Sequence, residues 1–214
     1  MSFRHGILLA MLVLLAIGAA VGAACAQSCP APSSDDNETD SSDGGEAEEA
    51  PVDTSGAVGI SGLQSLWLYE NQEYGFSAKY PEGWEAAEPD PNEMGMVAGF
   101  LAPGEDMEDP QNYVVVQVEE LSEALTLDQY VQAALSSLRS DHPDLQVLSD
   151  QQIAISGIAA REMVYTVDQG AFKVLQVMVV KENRAYLITF NALAERYPDL
   201  EAHGRTIVGS FEFM

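Results

Sequence analysis

Between residues 30 and 62 the chain has no aromatic side chain, and residues 35–53 hold nine carboxylates and no base. Such a segment has too little apolar surface to offset the entropy lost on ordering it. Its like charges keep it extended. Whatever folds around a core must therefore lie after it. This divides the 214 residues into a leader (1–25), an acidic disordered linker (26–63) and one α+β domain (64–214). The last stretch is long enough for a single hydrophobic core.

Ahead of the linker, Arg4 precedes a charge-free apolar run over residues 6–24. That is the layout of an export signal, and the run is also about long enough to span a bilayer. Three endings compete. Gly22-Ala23-Ala24-Cys25 resembles a lipobox, which makes Cys25 a candidate lipid anchor, although Gly22 stands where an aliphatic residue is usual. Ala24-Cys25-Ala26 also fits ordinary cleavage after Ala26. The third ending leaves the run uncleaved as an anchor. The first and third both tether the chain to a membrane, facing outside the cytoplasm. A single lipid chain binds only marginally, so stable anchoring needs more than one. The linker then reads as a stalk or as solubilising filler, and Asn37-Glu38-Thr39 in it is a glycosylation sequon.

The chain has 34 acidic and 9 basic residues, a formal net charge of −25. With nine acids in residues 35–53 and Arg4 in the leader, 25 acids and eight bases remain after residue 53, a net −17. That charge repels phosphate backbones and anionic lipid headgroups, which excludes nucleic acid as a partner. Its self-repulsion weakens as salt screens it.

Cys25 and Cys29 are the only cysteines, so the domain offers no disulfide, thiolate nucleophile or Cys-based zinc site. No nucleophile elbow, phosphate-cradling glycine loop or zincin motif occurs. The expectation is a non-enzymatic protein without a cofactor or metal. Glu105, Asp106, Glu108 and Asp109 carry oxygens of the kind calcium takes. They lack EF-hand spacing, and an acidic loop in an acidic protein needs no cation. His142, in Asp141-His142-Pro143-Asp144, reads as a solvated helix exit rather than a cation site, and His203 stands alone. Trp67, Tyr80, Trp84 and Phe100 read as core aromatics of one sheet, with a pocket or partner surface as the alternative.

Residues 74–80 alternate, with Tyr74, Phe76, Ala78 and Tyr80 on one face, as in a half-buried strand. Tyr80-Pro81-Glu82-Gly83 fits a type I turn. Residues 97–101 and 113–118 read as strands flanking an acidic loop over 103–110. Thr126 opens a helix whose stripe is Leu127, Tyr130, Val131, Ala134, Leu135 and Leu138. Thr126 and Gln129 form a capping box. Val147 and residues 153–155 are extended. A meander follows over 161–167, 172–180 and 184–191, where Val177-Met178-Val179-Val180 predicts burial on both faces. Pro198 starts a short helix to about Val208, and residues 210–213 form a last strand. The predicted fold is an antiparallel sheet with helices on both faces, an α/β/α sandwich of the α+β class.

This order of pieces resembles the PsbP family. The likeness is carried by Tyr74-Gly75-Phe76, Tyr80-Pro81-Glu82-Gly83-Trp84, Thr126-Leu127-Asp128-Gln129-Tyr130, Gly157-Ile158-Ala159-Ala160-Arg161 with Tyr165, Ala185-Tyr186-Leu187-Ile188-Thr189-Phe190 and Ser210-Phe211. It runs from about Leu66 to the end. The resemblance implies that fold and a non-enzymatic domain that docks on a membrane complex. Photosynthetic members help retain calcium and chloride, and cyanobacterial relatives are lipid-anchored, in agreement with Cys25. This chain has no chloroplast transit peptide, its linker replaces the family's functional N-terminal segment, and no docking or ion-retaining residue maps onto it. The functional expectation is an accessory module with a protein partner. The alternatives are a ligand-binding or enzymatic domain, marked by a convergent polar cluster in an apolar cleft, and a photosystem II extrinsic-type subunit.

Overall fold

The computed structural model describes residues 65–87 and 95–214. Cys25, Asn37 and the whole linker lie outside the described residues. Strands β1 (Leu66–Asn71), β2 (Phe76–Pro81), β3 (Glu85–Ala87), β4 (Met96–Leu101) and β5 (Tyr113–Glu120) lead into helix α1 (Leu127–Asp141). Strands β6 (Gln146–Ile155), β7 (Ile158–Val167), β8 (Phe172–Lys181) and β9 (Arg184–Leu193) precede helix α2 (Tyr197–Gly209) and strand β10 (Glu212–Phe213). They form a three-stranded sheet, β1-β2-β10, and a seven-stranded sheet, β3-β4-β5-β9-β8-β7-β6, with every pairing antiparallel.

The predicted mostly antiparallel β structure with two helices is present. A single sheet is not. Strand β2, predicted within residues 74–80, pairs with β1 and β10 rather than joining the meander, and its Phe76 stacks on Phe211 with ring centroids 4.9 Å apart. The first turn also differs. Pro81 stays in β2 opposite Leu66, the Trp84 N–H donates to the Pro81 carbonyl, and Gly83 has φ +89°. Glycine with positive φ in the third position belongs to a type II turn, one residue later than the predicted type I turn.

Helix α1 begins where its cap dictates. The Thr126 hydroxyl accepts from the Gln129 N–H, and the Gln129 side chain accepts from the Thr126 N–H. Tyr130, Val131, Ala134 and Leu138 are its buried face. Helix α2 carries proline in its first turn and buries Tyr197, Leu200, Gly204, Ile207 and Val208.

The long strands feed two cores by alternation. Leu175, Val177, Val179, Ile188 and Phe190 pack in a cluster with α2 residues Leu200 and Ile207. Val174, Met178, Ala185 and Leu187, their neighbours in sequence, pack with α1 residues Tyr130, Val131, Ala134 and Leu138. This explains the unbroken apolar run at Val177-Met178-Val179-Val180.

Candidate functional site

On the large sheet, residues directly opposite one another share a face. Two rows can be read across β4, β5, β9 and β8. Leu101, Tyr113, Asn191 and Val174 form one, and Gly99, Val115, Thr189 and Gln176 form the next. Val174 places both rows on the face where α1 packs. Gln117, two residues beyond Val115 in β5, shares it, and Tyr165 joins from β7 opposite Val174. Six polar side chains therefore converge on an otherwise apolar floor, and all six are buried.

Their bonds are unequal. The Gln176 amide donates to the Thr189 hydroxyl at 3.1 Å, and the Tyr165 hydroxyl lies 3.4 Å from the Gln176 carbonyl oxygen. The Asn191 amide nitrogen donates to the Gln111 carbonyl at 2.9 Å. The Tyr113 hydroxyl and the Asn191 Oδ1 have no partner among the described residues. Each of these two residues is only 2% exposed, and they face each other directly across β5 and β9. Burial pushes the Tyr113 phenol well above its ordinary pKa, so it stays a neutral donor.

The acidic loop closes one end of this floor. The Glu105 carboxylate accepts the N–H of Gln111 at 2.6 Å and of Asn112 at 3.1 Å, and the Asn112 amide at 2.5 Å. Asn112 Oδ1 in turn accepts the Leu193 N–H at 3.0 Å. Asp106 accepts the Glu108 N–H. Of the oxygens considered for calcium, those of Glu105 and Asp106 thus tie the loop together, and no group of three or more metal-ligating side chains is assembled among the described residues.

The two histidines are not brought together. His142 is only 6% exposed, which corrects the reading of a solvated helix exit. It closes the C-terminus of α1, with Nδ1 3.4 Å from Asp168 Oδ1, because the 3-10 turn at Asp168–Gly170 folds back toward it. His203 lies in α2 with its ring edge-on to Trp84 at 6.3 Å.

Of the four aromatics, Trp84 and Phe100 are buried in the larger core and Tyr80 packs against it. Trp67 does not. It stands 56% exposed between Leu66 at 49% and Leu68 at 58%. These three begin β1, which among the described residues pairs on one side only, with β2. Consecutive strand residues point to opposite faces, so β1 offers apolar side chains on both faces beside a backbone edge that no described strand pairs.

From the sequence, a partner surface at Trp67 was only the alternative to a core role, and the polar floor was not identified. The floor had a signal, since Gln117, Gln176, Thr189 and Asn191 each interrupt an apolar strand run. Their convergence depends on strand neighbours far apart in the chain.

A model of the family described as PsbP-like protein matches residues 47–213. Among curated proteins no relative matches. The solution structure of cyanobacterial PsbP (CyanoP) from Synechocystis sp. PCC 6803 superposes with a TM-score of 0.55 at 15% identity, covering 75% of this chain and 99% of that one. The crystal structure of LpqN from Mycobacterium tuberculosis, a protein involved in cell envelope biogenesis, gives 0.53 at 15% identity, covering 72% and 87%. At that identity the likeness concerns the fold.

Proposed function

The chain belongs to the PsbP-like protein family, and from that premise we propose that it is an exported, membrane-tethered, non-enzymatic binding module that captures a protein partner at β1. The leader over residues 6–24, with Cys25 as its lipid-bearing residue, supplies the tether. The acidic linker holds the domain away from the membrane. The involvement of LpqN in cell envelope biogenesis supports a place outside the cytoplasm. In this reading the large sheet is the middle layer, with α1 on one side and α2 with the small sheet on the other.

The observation that carries the reading is the exposed run Leu66-Trp67-Leu68 on an edge strand. An open edge beside large apolar side chains is a template for strand addition. The fitting occupant is an extended partner segment whose backbone pairs with β1 and whose apolar side chains cover Trp67. The domain's net charge of −17 favours a segment carrying basic residues.

The test is capture from solubilised membranes with the full, natively anchored chain, comparing wild type with Trp67→Ala and Leu68→Ala. Mass spectrometry should show a protein enriched by the wild type and lost with both variants, and an intact mass carrying acyl chains on Cys25. The same proteins on wild type and variants, or none on either, would overturn the β1 reading. A mature chain free in the cytosol with residues 1–24 retained would overturn the tether.

A further inference from the structure

We propose that the sheet face beside α1 is a binding site for a neutral, mostly apolar small molecule bearing a hydroxyl or amide group. The site is distinct from β1 and does not depend on the partner reading. Its polar centre is the facing pair Tyr113 and Asn191, which leaves one donor and one acceptor, the Tyr113 hydroxyl and Asn191 Oδ1, without partners among the described residues. Buried polar groups in native proteins are nearly always paired, so two orphans on directly opposed residues point to a shared external partner. A hydroxyl can accept from Tyr113 and donate to Asn191 at once, and an amide can do the same with its oxygen and nitrogen.

The surroundings restrict the rest of the molecule. Leu101 and Val115 flank the pair and are buried. Thr189 and Gln176 hold each other by a 3.1 Å hydrogen bond, so they add little further demand for a partner. The rows Leu101-Tyr113-Asn191-Val174 and Gly99-Val115-Thr189-Gln176 contain no charged side chain. An anion would have no counter-charge there and would meet the repulsion of a net −17 domain. A cation would lose its hydration without gaining a buried carboxylate in these rows. A neutral ligand incurs neither cost. The chain's own apolar run does not fit, because residues 6–24 contain no hydroxyl, amide or charged side chain to meet Tyr113 and Asn191.

Two probes with similar apolar bodies and different heads decide the matter. Monoolein is neutral and carries hydroxyls, and oleate is an anion. The full chain is released from detergent and examined by native mass spectrometry after incubation with each. Wild type should retain monoolein and not oleate. Tyr113→Phe, which removes only the unpartnered hydroxyl, should weaken monoolein retention about tenfold. Its thermal midpoint without probe should be no lower than wild type, which separates loss of binding from loss of folding. Asn191→Leu is the second variant and should act in the same direction. Trp67→Ala should retain monoolein as wild type does, so failure of the β1 reading and failure of this one appear in different measurements. Equal retention of oleate, unchanged retention in Tyr113→Phe, or no retention of monoolein by wild type would overturn the proposal.

Discussion

Replacing Gly204 by alanine tests how closely α2 is seated on the large sheet. A methyl group there would lie 2.5 Å from both Cγ and Cδ1 of Phe190 and 2.7 Å from Cε1. Carbon atoms in good contact sit about 3.5–4.0 Å apart, so ring and helix must separate by about 1 Å. The ring has little room. Phe190 is fully buried, and Tyr197 lies against it with centroids 5.1 Å apart. Overpacking of this kind costs about 1–3 kcal/mol, while alanine returns up to about 1 kcal/mol in helix propensity. The expected net loss is about 1–2 kcal/mol. For a domain of this size that lowers Tm by about 2–8 °C.

Thermal and urea unfolding of the two glycine variants of α2 measure this directly. Gly209→Ala is the control, because nothing lies within 4 Å of the Cβ it would add. It should leave Tm unchanged or slightly raised. Phe190→Leu shrinks the obstacle, so the Gly204→Ala/Phe190→Leu double variant should lose less than the two single losses added together, the coupling expected of residues in contact. A Gly204→Ala protein as stable as wild type would refute the reasoning, since it would mean that α2 moves off the Phe190 ring at no cost.

Four further outcomes follow from the structure. Thr126→Ala removes one half of the capping box at α1 and should cost about 1 kcal/mol, read as a lower urea midpoint with an unchanged slope. Glu105→Ala releases the N–H groups of Gln111 and Asn112, whose hydrogen exchange should accelerate, and added calcium should shift Tm of neither protein. Burial raises the pKa of Glu119, opposed by the Tyr130 hydroxyl, so the folded state holds its proton more tightly than the unfolded state. The penalty is absent below the ordinary carboxylate range and grows as pH rises through the raised value, so Glu119→Gln should stabilise at about pH 7 and lose that advantage toward about pH 4. Finally, the domain's Tm should rise with NaCl, because screening relieves the repulsion of a net −17 chain; a flat or falling curve would sink that account.

The sequence revealed elements better than it revealed neighbours. The start of helix α1 was legible to the residue because Thr126, Gln129 and the stripe to Leu138 act within a few turns of one another. Strands β7, β8 and β9 were legible from apolar runs bounded by turns. The small sheet was not, because β1 and β10 are short and join β2 from opposite ends of the domain. Strand β6 was read only at Val147 and residues 153–155, because most of its side chains are exposed and polar and only its pairing with β7 makes it one strand. The polar floor required register as well. Tyr113 and Asn191 lie on strands that become neighbours only when β9 inserts between β5 and β8. Sequence alternation gives the face of each residue but not what stands opposite it.

Asn191 shows why the floor should act as a site rather than as a packing fault. Its amide nitrogen is committed to the Gln111 carbonyl, and Gln111 is fixed in turn because its own N–H donates to Glu105. Glu105 is also bonded to Asn112, which holds the Leu193 N–H two residues beyond Asn191. The side chain therefore cannot rotate to satisfy Oδ1 without giving up a bond that a whole loop supports. An acceptor held in one orientation, opposite a donor held by a buried ring, loses little freedom when a ligand arrives, which is where preorganisation gains affinity. The acidic loop, which needs no cation, thus holds through Glu105 and Gln111 the bond that fixes this uncharged amide.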